Sequence, residues 1–312
     1  MTRSADANAL VAIVGPTAVG KTDLSLHLAE RLQGEIVSAD SRLFYRGLDI
    51  GTAKPTPEER ARVPHHLIDI ACPDETVGLA EFHEQATAAI ADIHARGRLP
   101  LLVGGTGQYV RAVVEGWQVP RVPPDRALRA RLEVEAERNG AAALHGRLAQ
   151  LDPRAAERID ARNVRRVIRA LEVCLITGRP ISEQQGKQPP SYPILQIGLT
   201  MDRESLYRRA DQRVEAMMAA GLEEEVRRLV EAGYGWDLPA MSGLGYVQFR
   251  PCFEGQADLE AVAAEIKRAT HSFIRRQYNW FRPNDPAIRW FDAAAMPPDE
   301  VEAAVRAWLA GI

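Results

Sequence analysis

Cysteine is scarce in this 312-residue chain: Cys72, Cys174 and Cys252 are the only three, far apart and with no CxxC spacing. Neither a disulfide framework nor a cysteine-held zinc site is signalled. Long apolar runs are missing too. The N-terminal run, Leu10-Val-Ala-Ile-Val14, falls far short of the roughly 20 residues that cross a bilayer, and no charged-then-apolar leader precedes it. A cytoplasmic protein is expected. The chain also lacks an excess of basic charge, with 39 Lys and Arg against 42 Asp and Glu for a net charge of −3. Global attraction to nucleic acid is excluded, so any RNA binding has to come from local basic patches. Sustained repeats and low-complexity stretches are absent. What is present, 46% hydrophobic and 26% charged residues, is the balance of a globular chain long enough for about two domains.

Two β-branched runs, Leu10-Val-Ala-Ile-Val14 and Glu35-Ile-Val-Ser38, flank Leu24, Leu28 and Leu32 at helical spacing. This predicts strand, helix, strand. Further on come His66-Leu-Ile-Asp-Ile70, a helical pattern through Leu79, Phe82, Ala86, Ile90 and Ile93 ending at Gly97, and the apolar run Leu99-Pro-Leu-Leu-Val103. The alternation predicts a parallel sheet covered by helices. From 119 to 191 the pattern changes. A hinge with Pro120, Pro123 and Pro124 leads into helical segments on Leu128/Leu132, Leu144/Leu148/Leu151 and Val164/Val167/Ile168/Leu171/Leu175, with no strand signal between them. Ile194-Leu-Gln-Ile-Gly-Leu-Thr200 then reads as a strand returning to the sheet, followed by long helices around 204–232 and 258–281. The expected domains are a core of 1–118 with 192–312, and a helical insertion of 119–191.

Gly15-Pro-Thr-Ala-Val-Gly-Lys-Thr22 matches G-x-x-x-x-G-K-[ST] between an apolar strand and an amphipathic helix. Glycines let backbone N–H groups close around phosphate oxygens, the helix N-terminus adds its positive end, and Lys21 supplies a point charge. Thr22 offers a hydroxyl to a Mg²⁺ ion bridging two phosphates. The expected fold class is α/β, a P-loop NTPase-like parallel sheet core with a helical insertion domain. NTPases pair such a loop with an acid at the end of a second apolar strand. Here Leu99-Pro-Leu-Leu-Val103 runs instead into Gly104-Gly-Thr-Gly107, without a carboxylate. Asp40, after Ile36-Val-Ser-Ala, falls at the carboxyl edge of the sheet, where α/β ligands bind. It suits a metal-organising acid, a base acting on an acceptor, or a simple Asx turn or helix N-cap.

These residues resemble the tRNA dimethylallyltransferase (tRNA isopentenylpyrophosphate transferase) family of bacterial type. The matching stretches are the phosphate loop, Ser38-Ala-Asp-Ser41, Tyr45-Arg-Gly-Leu-Asp-Ile-Gly-Thr-Ala-Lys-Pro55, Pro64-His-His-Leu-Ile-Asp69 and Leu101-Leu-Val-Gly-Gly-Thr106. Arg169-Ala-Leu-Glu-Val173, Leu206-Tyr207 with Arg209 and Arg213, Gly221-Leu-Glu-Glu-Glu225, Gly245-Tyr246 and Arg276-Gln277 follow in the family's order.

The resemblance implies transfer of a dimethylallyl group from dimethylallyl diphosphate to the exocyclic amine of adenosine 37, in tRNAs reading codons that begin with U. The P-loop residues Gly15, Pro16, Thr17, Ala18, Val19, Gly20, Lys21 and Thr22 would hold the diphosphate, with Mg²⁺ on Thr22. A motif of this kind is ordinarily labelled nucleotide- or ATP-binding, and the resemblance makes that label misleading. Asp40 would be the general base, and Thr17 and Arg213 would stabilise the leaving group. Implied RNA contacts are Asp40, Ser41, Arg42, Leu43, Thr106, Arg129, Asn163, Val164, Arg165, Arg166 and Val167. Arg126, Arg129 and Arg131, and then Arg162, Arg165, Arg166 and Arg169, form basic clusters that suit phosphate contact, or equally solvated helix faces paired with Glu133, Glu135 and Glu157. The implied partners are the tRNA anticodon stem-loop and dimethylallyl diphosphate. No membrane is implied, and a monomer is expected.

The chain departs from the family pattern at Val77-Gly-Leu79, Gln108, Asn163, Val247-Gln248 and His271. None of these lies in the phosphate loop or at Asp40. The rival readings are a P-loop small-molecule kinase, a transferase acting on a free adenine nucleotide, and a non-catalytic tRNA-binding protein.

Overall fold

The computed structural model describes residues 8–295 and 297–312. Six parallel strands form one sheet: β1 (Leu10–Val14), β2 (Gly34–Ser38), β3 (His65–His66), β4 (Leu99–Gly104), β7 (Ile194–Thr200) and β8 (Ile288–Asp292), in the order β3-β2-β4-β1-β7-β8. Every residue of β1 is buried, as expected of a central strand covered on both faces. From β1 the chain works first to one side and later to the other. The loop after β1 therefore lies at the topological switch point, where open α/β sheets bind ligands.

Helix α1 (Lys21–Leu32) lays Leu24 and Leu28 into a core with Val11, Ile13, Ile36, Leu101 and Ile197. Helices α2 (Pro57–Arg62), α3 (Leu79–Ala95) and α4 (Gly107–Val114) precede the insertion. After it come α10 (Arg203–Ala219), α11 (Leu222–Glu231), α12 (Arg250–Phe253), α13 (Leu259–Trp280) and α14 (Pro298–Leu309).

The chain divides into two compact units, one of residues 1–77, 82–114 and 190–312, the other of 78–81 and 115–189. The second unit holds α5 (Arg126–Asn139), α6 (Ala141–Leu151), α7 (Pro153–Arg158), α8 (Val164–Thr177) and α9 (Ile181–Gln184) around Leu132, Leu144, Leu148, Val167, Ile168 and Leu171. It also contains an antiparallel pair, β5 (Trp117–Gln118) with β6 (Gly186–Lys187). Two residues per strand are too few to leave any periodicity in the sequence.

The strand expected at 66–70 is cut to His65–His66. Leu67 and Asp69 take left-handed backbone conformations, with φ of 63° and 57°, which no ladder accommodates. Asp69 is held there by Lys54 Nζ at 2.6 Å and Arg60 at 2.7 Å. The helix expected over 204–232 is two helices, broken at Gly221 with φ of 94°.

Glu225 on α11 is 2% exposed, and its carboxylate accepts the backbone N–H groups of Asp49 (3.0 Å), Ile50 (2.8 Å) and Gly51 (3.1 Å). The buried Tyr246 hydroxyl donates to the same carboxylate at 2.6 Å. Burial, followed by the Glu225 charge, pushes the Tyr246 phenol far above its usual range. This clamp ties the loop after Asp40 to the second half of the chain. Glu225→Ala removes the shared acceptor of three backbone N–H groups and the buried Tyr246 hydroxyl and is expected to cost about 3–5 kcal/mol, whereas Tyr246→Phe costs about 1–3 kcal/mol. Urea unfolding midpoints check both; equal small losses would show that the clamp is not structural.

Candidate active site

The phosphate loop, residues 15–22, joins β1 to α1. Gly15 has φ of 142°, and a Cβ there would meet the Leu199 carbonyl oxygen at 2.5 Å, so only glycine fits. Gly20, with φ of 102°, is the N-cap of α1 and leaves the first N–H groups of the helix without a side-chain cap, open to an anion. Ala18 and Val19 are buried, so they contribute backbone alone to the cradle. Lys21 Nζ folds onto the loop, donating to the carbonyls of Gly15 (3.0 Å) and Pro16 (2.7 Å).

Burial lowers the Lys21 pKa from 10.5 to about 8. The negative charge of Asp40 opposes that shift and the positive charge of Arg213 adds to it. The three predicted groups thus share one electrostatic neighbourhood, although they come from α1, the end of β2 and α10. Arg213 is itself held below its usual range by burial and by Arg209. The Arg209 guanidinium comes within 3.9 Å of where a Gly20 Cβ would stand. The signal for Arg209 was its spacing of one helical turn from Arg213.

Asp40 Oδ1 accepts the Arg42 N–H at 3.0 Å, so the Asx-turn geometry and a place at the sheet's carboxyl edge coexist in one residue. Arg42 turns its guanidinium to the Pro239 carbonyl at 2.5 Å. Ser41, Arg42 and Leu43 are half-buried, whereas Phe44 stacks on Phe82 and Tyr109 at 5.8 Å each. Beside this loop, β4 ends in Gly104, whose Cβ position is 2.3 Å from the Ala39 carbonyl oxygen. Thr106 accepts the Tyr109 N–H at the start of α4. No carboxylate stands at the end of β4.

In the helical unit, two of the residues expected at the RNA are engaged with the unit's own core. Val167 is 0% exposed in the unit's core, so its side chain serves packing. Arg129 is committed to Glu172, donating to both carboxylate oxygens at 2.8 Å, with Arg169 adding a third bond at 2.5 Å. Glu172 is fully buried. Burial pushes its carboxyl up, but the bonds from Arg129 and Arg169 prevail and hold it below the usual range. Asn163 caps α8 by accepting the Arg166 N–H at 3.3 Å, and Val164 packs partly against the core. Arg165, Arg166, Arg126 and Arg131 are exposed, and none forms an ion pair among the described residues.

A separate group, His27, Asp299 and Glu302, brings three potential metal-ligand atoms within 4.8 Å of one another. Arg31 and Arg306 already occupy Glu302, at 3.3 and 2.7 Å, so the group reads as an ion-pair cluster.

A parallel sheet with a glycine-rich phosphate cradle at its central strand defines a P-loop α/β protein. Its missing second acid and its Asp40 set it apart from hydrolases of that class. The IPP transferase family model matches residues 43–284. A tRNA dimethylallyltransferase of Roseiflexus sp. (strain RS-1) is 63% identical over 273 residues, which covers 88% of this chain and 90% of the relative. The crystal structure of the tRNA isopentenylpyrophosphate transferase from Bacillus halodurans superposes with a TM-score of 0.71 at 43% identity, covering 97% of this chain and 96% of that one. A eukaryotic dimethylallyltransferase solved acting on tRNA gives a TM-score of 0.80 at 27% identity, covering 96% and 78%. The chain belongs to the IPP transferase family.

Lys21 makes the site's pH dependence readable. Between about pH 8 and 10.5 the unfolded chain keeps a proton on Lys21 that the folded chain has lost, so stability from this group rises with pH across that window. The stability difference between wild type and Lys21→Met is expected to change by about 3 kcal/mol from neutral pH to the top of the window, in favour of wild type. Paired urea titrations check it; a pH-independent difference would mean the ammonium is solvated.

Proposed function

We propose that this protein is a tRNA dimethylallyltransferase that moves the five-carbon group of dimethylallyl diphosphate onto the N6 amine of adenosine 37. The observation that carries the reading is the joining of Asp40, Lys21 and Arg213 around a P-loop that has no carboxylate at the end of β4. A loop that releases a diphosphate has no attacking water to organise at a terminal phosphate, so the second acid of an NTPase has no task.

In the proposed reaction the adenine nitrogen bonds to the first carbon of the dimethylallyl group. The bond from that carbon to the diphosphate oxygen breaks, and its electron pair leaves on the diphosphate. The amine proton passes to Asp40. The N6 lone pair is delocalised into the ring, so removing a proton as the new bond forms lowers the barrier. Residues 15–22 hold the diphosphate, while Lys21, Thr17 and Arg213 stabilise its growing charge. The Thr22 hydroxyl has no protein partner among the described residues and suits a Mg²⁺ ion held mainly by substrate oxygens and water. When bound there, Mg²⁺ neutralises part of the diphosphate charge.

The target base has to leave the anticodon stack to reach such a site. Residues 119–191 act as the RNA-binding insertion, with Arg165 and Arg166 at the start of α8 and the exposed Arg126 and Arg131 on phosphates. Residues 40–43 and Thr106 contact the RNA near the reacting base, and 1–118 with 192–312 form the catalytic core.

Incubating the protein with tRNA, dimethylallyl diphosphate and Mg²⁺ should give a five-carbon mass gain on the nucleoside beside the anticodon, with diphosphate released and no ATP consumed. ATP turnover without that gain would favour a kinase. Asp40→Ala is expected to lower turnover by about 10²–10⁴-fold while both substrates still bind. Wild-type-like turnover would remove Asp40 from the chemistry. Replacing Arg165 and Arg166 together by Ala should weaken tRNA binding and flatten its salt dependence by about 1–2 in slope, with thermal stability unchanged. Arg129→Ala should instead destabilise the helical unit by about 1–3 kcal/mol, because it removes two of the bonds to a buried carboxylate that Arg169 alone among the arginines then holds. Fluorescence binding at several salt concentrations and thermal melts separate the two outcomes.

A further inference from the structure

Gln277, near the end of α13, is 3% exposed and uses both ends of its amide. Its Oε1 accepts the N–H of Thr17 in the phosphate loop at 2.9 Å, and its Nε2 donates to the Gly105 carbonyl beyond β4 at 3.1 Å. Gly105 is shaped for this contact: a Cβ there would stand 2.2 Å from Nε2 and 3.4 Å from the Gly15 carbonyl oxygen. The amide is therefore wedged between the β1 end of the phosphate loop and the end of β4.

Loop N–H groups are the donors that grip phosphate, and the number left free limits how much polyphosphate the loop accepts. The donors at the α1 end remain uncapped, whereas the Thr17 N–H, at the end of the loop remote from the helix, is spent on a side chain. A longer polyphosphate chain could claim that donor only by displacing a buried amide and stranding its polar atoms. The sequence motif alone predicts the opposite, because G-x-x-x-x-G-K-[ST] ordinarily takes a nucleoside triphosphate.

We propose that Gln277 is a specificity-determining residue that limits the phosphate loop to a diphosphate group and keeps nucleoside triphosphates out. The inference builds on the transferase reading by naming what rejects the cell's abundant ATP from a loop of ATP-binding sequence. It acts through the loop backbone and takes no part in bond making.

Calorimetric titration of the full-length protein with inorganic pyrophosphate, inorganic tripolyphosphate and ATP, each with Mg²⁺, tests it. Wild type should bind pyrophosphate about tenfold or more tighter than either triphosphate, although charge alone favours the longer chains. Gln277→Ala, shown to be folded by its melting curve, should narrow that ratio about tenfold by tightening triphosphate binding, with tRNA affinity unchanged. Equal affinity for pyrophosphate and triphosphates in wild type overturns the proposal, and so does an unchanged ratio in folded Gln277→Ala. If Gln277→Ala does not fold, Gln277→Met, which keeps the side-chain length but gives the Thr17 N–H no comparable acceptor, is titrated in its place and read in the same way. The titrations need no turnover, so failure of five-carbon transfer to tRNA would overturn the transferase reading and leave this result to stand or fall separately.

Discussion

A buried ammonium has to be answered by charge or by hydrogen bonds, and at Lys21 the answer organises the site. Its nitrogen donates to two loop carbonyls, and burial still depresses its pKa to about 8. Asp40 partly relieves that cost and Arg213 deepens it. Two cationic groups and one carboxylate at the carboxyl edge of a parallel sheet make a region that an anionic ligand would relax. The region exists only because β1 and β2 both end on the same edge, with β4 between them.

The same rule recurs in structural roles. Glu225 gathers three backbone N–H groups and a tyrosine hydroxyl. Asp152, 1% exposed in the helical unit, accepts from the N–H groups of Ala155 and Ser182 and from the Ser182 hydroxyl. Glu172 is held by two arginines. Each is a buried carboxylate with at least one donor from a segment distant in sequence, so each fixes a chain crossing. Removing one strands several partners at once, which makes these acids costlier to lose than their number suggests. Charge committed in this way is withdrawn from the surface. Arg129 is basic in the sequence, yet a large part of its charge is spent inside its own unit.

Much of the fold was legible because it rests on local patterns. Strand β1 and helix α1 showed in their hydrophobic periods, and the phosphate loop showed in its glycines. What escaped was set by partners far along the chain. Strand β8 carries only a weak pattern in Ile288–Asp292 and becomes a strand because β7 presents a free edge to it. The run 66–70 is apolar enough for a strand, but Lys54 and Arg60 hold Asp69 in a conformation that ends the ladder. Val167 and Arg166 are neighbours in one basic stretch. The helix turns one into the core and the other to solvent, a difference of about 100° per residue that proximity in sequence conceals.

The sequence by itself determined the phosphate cradle, the parallel α/β class, the helical insertion and the carboxylate after β2, because each depends on residues within one or two turns or strands of one another. Only the tertiary structure decided which arginines are free and which are bound to buried acids, and that Lys21 titrates far from its usual range. It alone decided that Gln277, 260 positions beyond Thr17, takes up the N–H at the β1 end of the loop. The physical reason is that burial and hydrogen-bond pairing are properties of the packed chain. A residue's chemistry is written in the sequence, but its solvent and its partners are assigned only when distant segments meet.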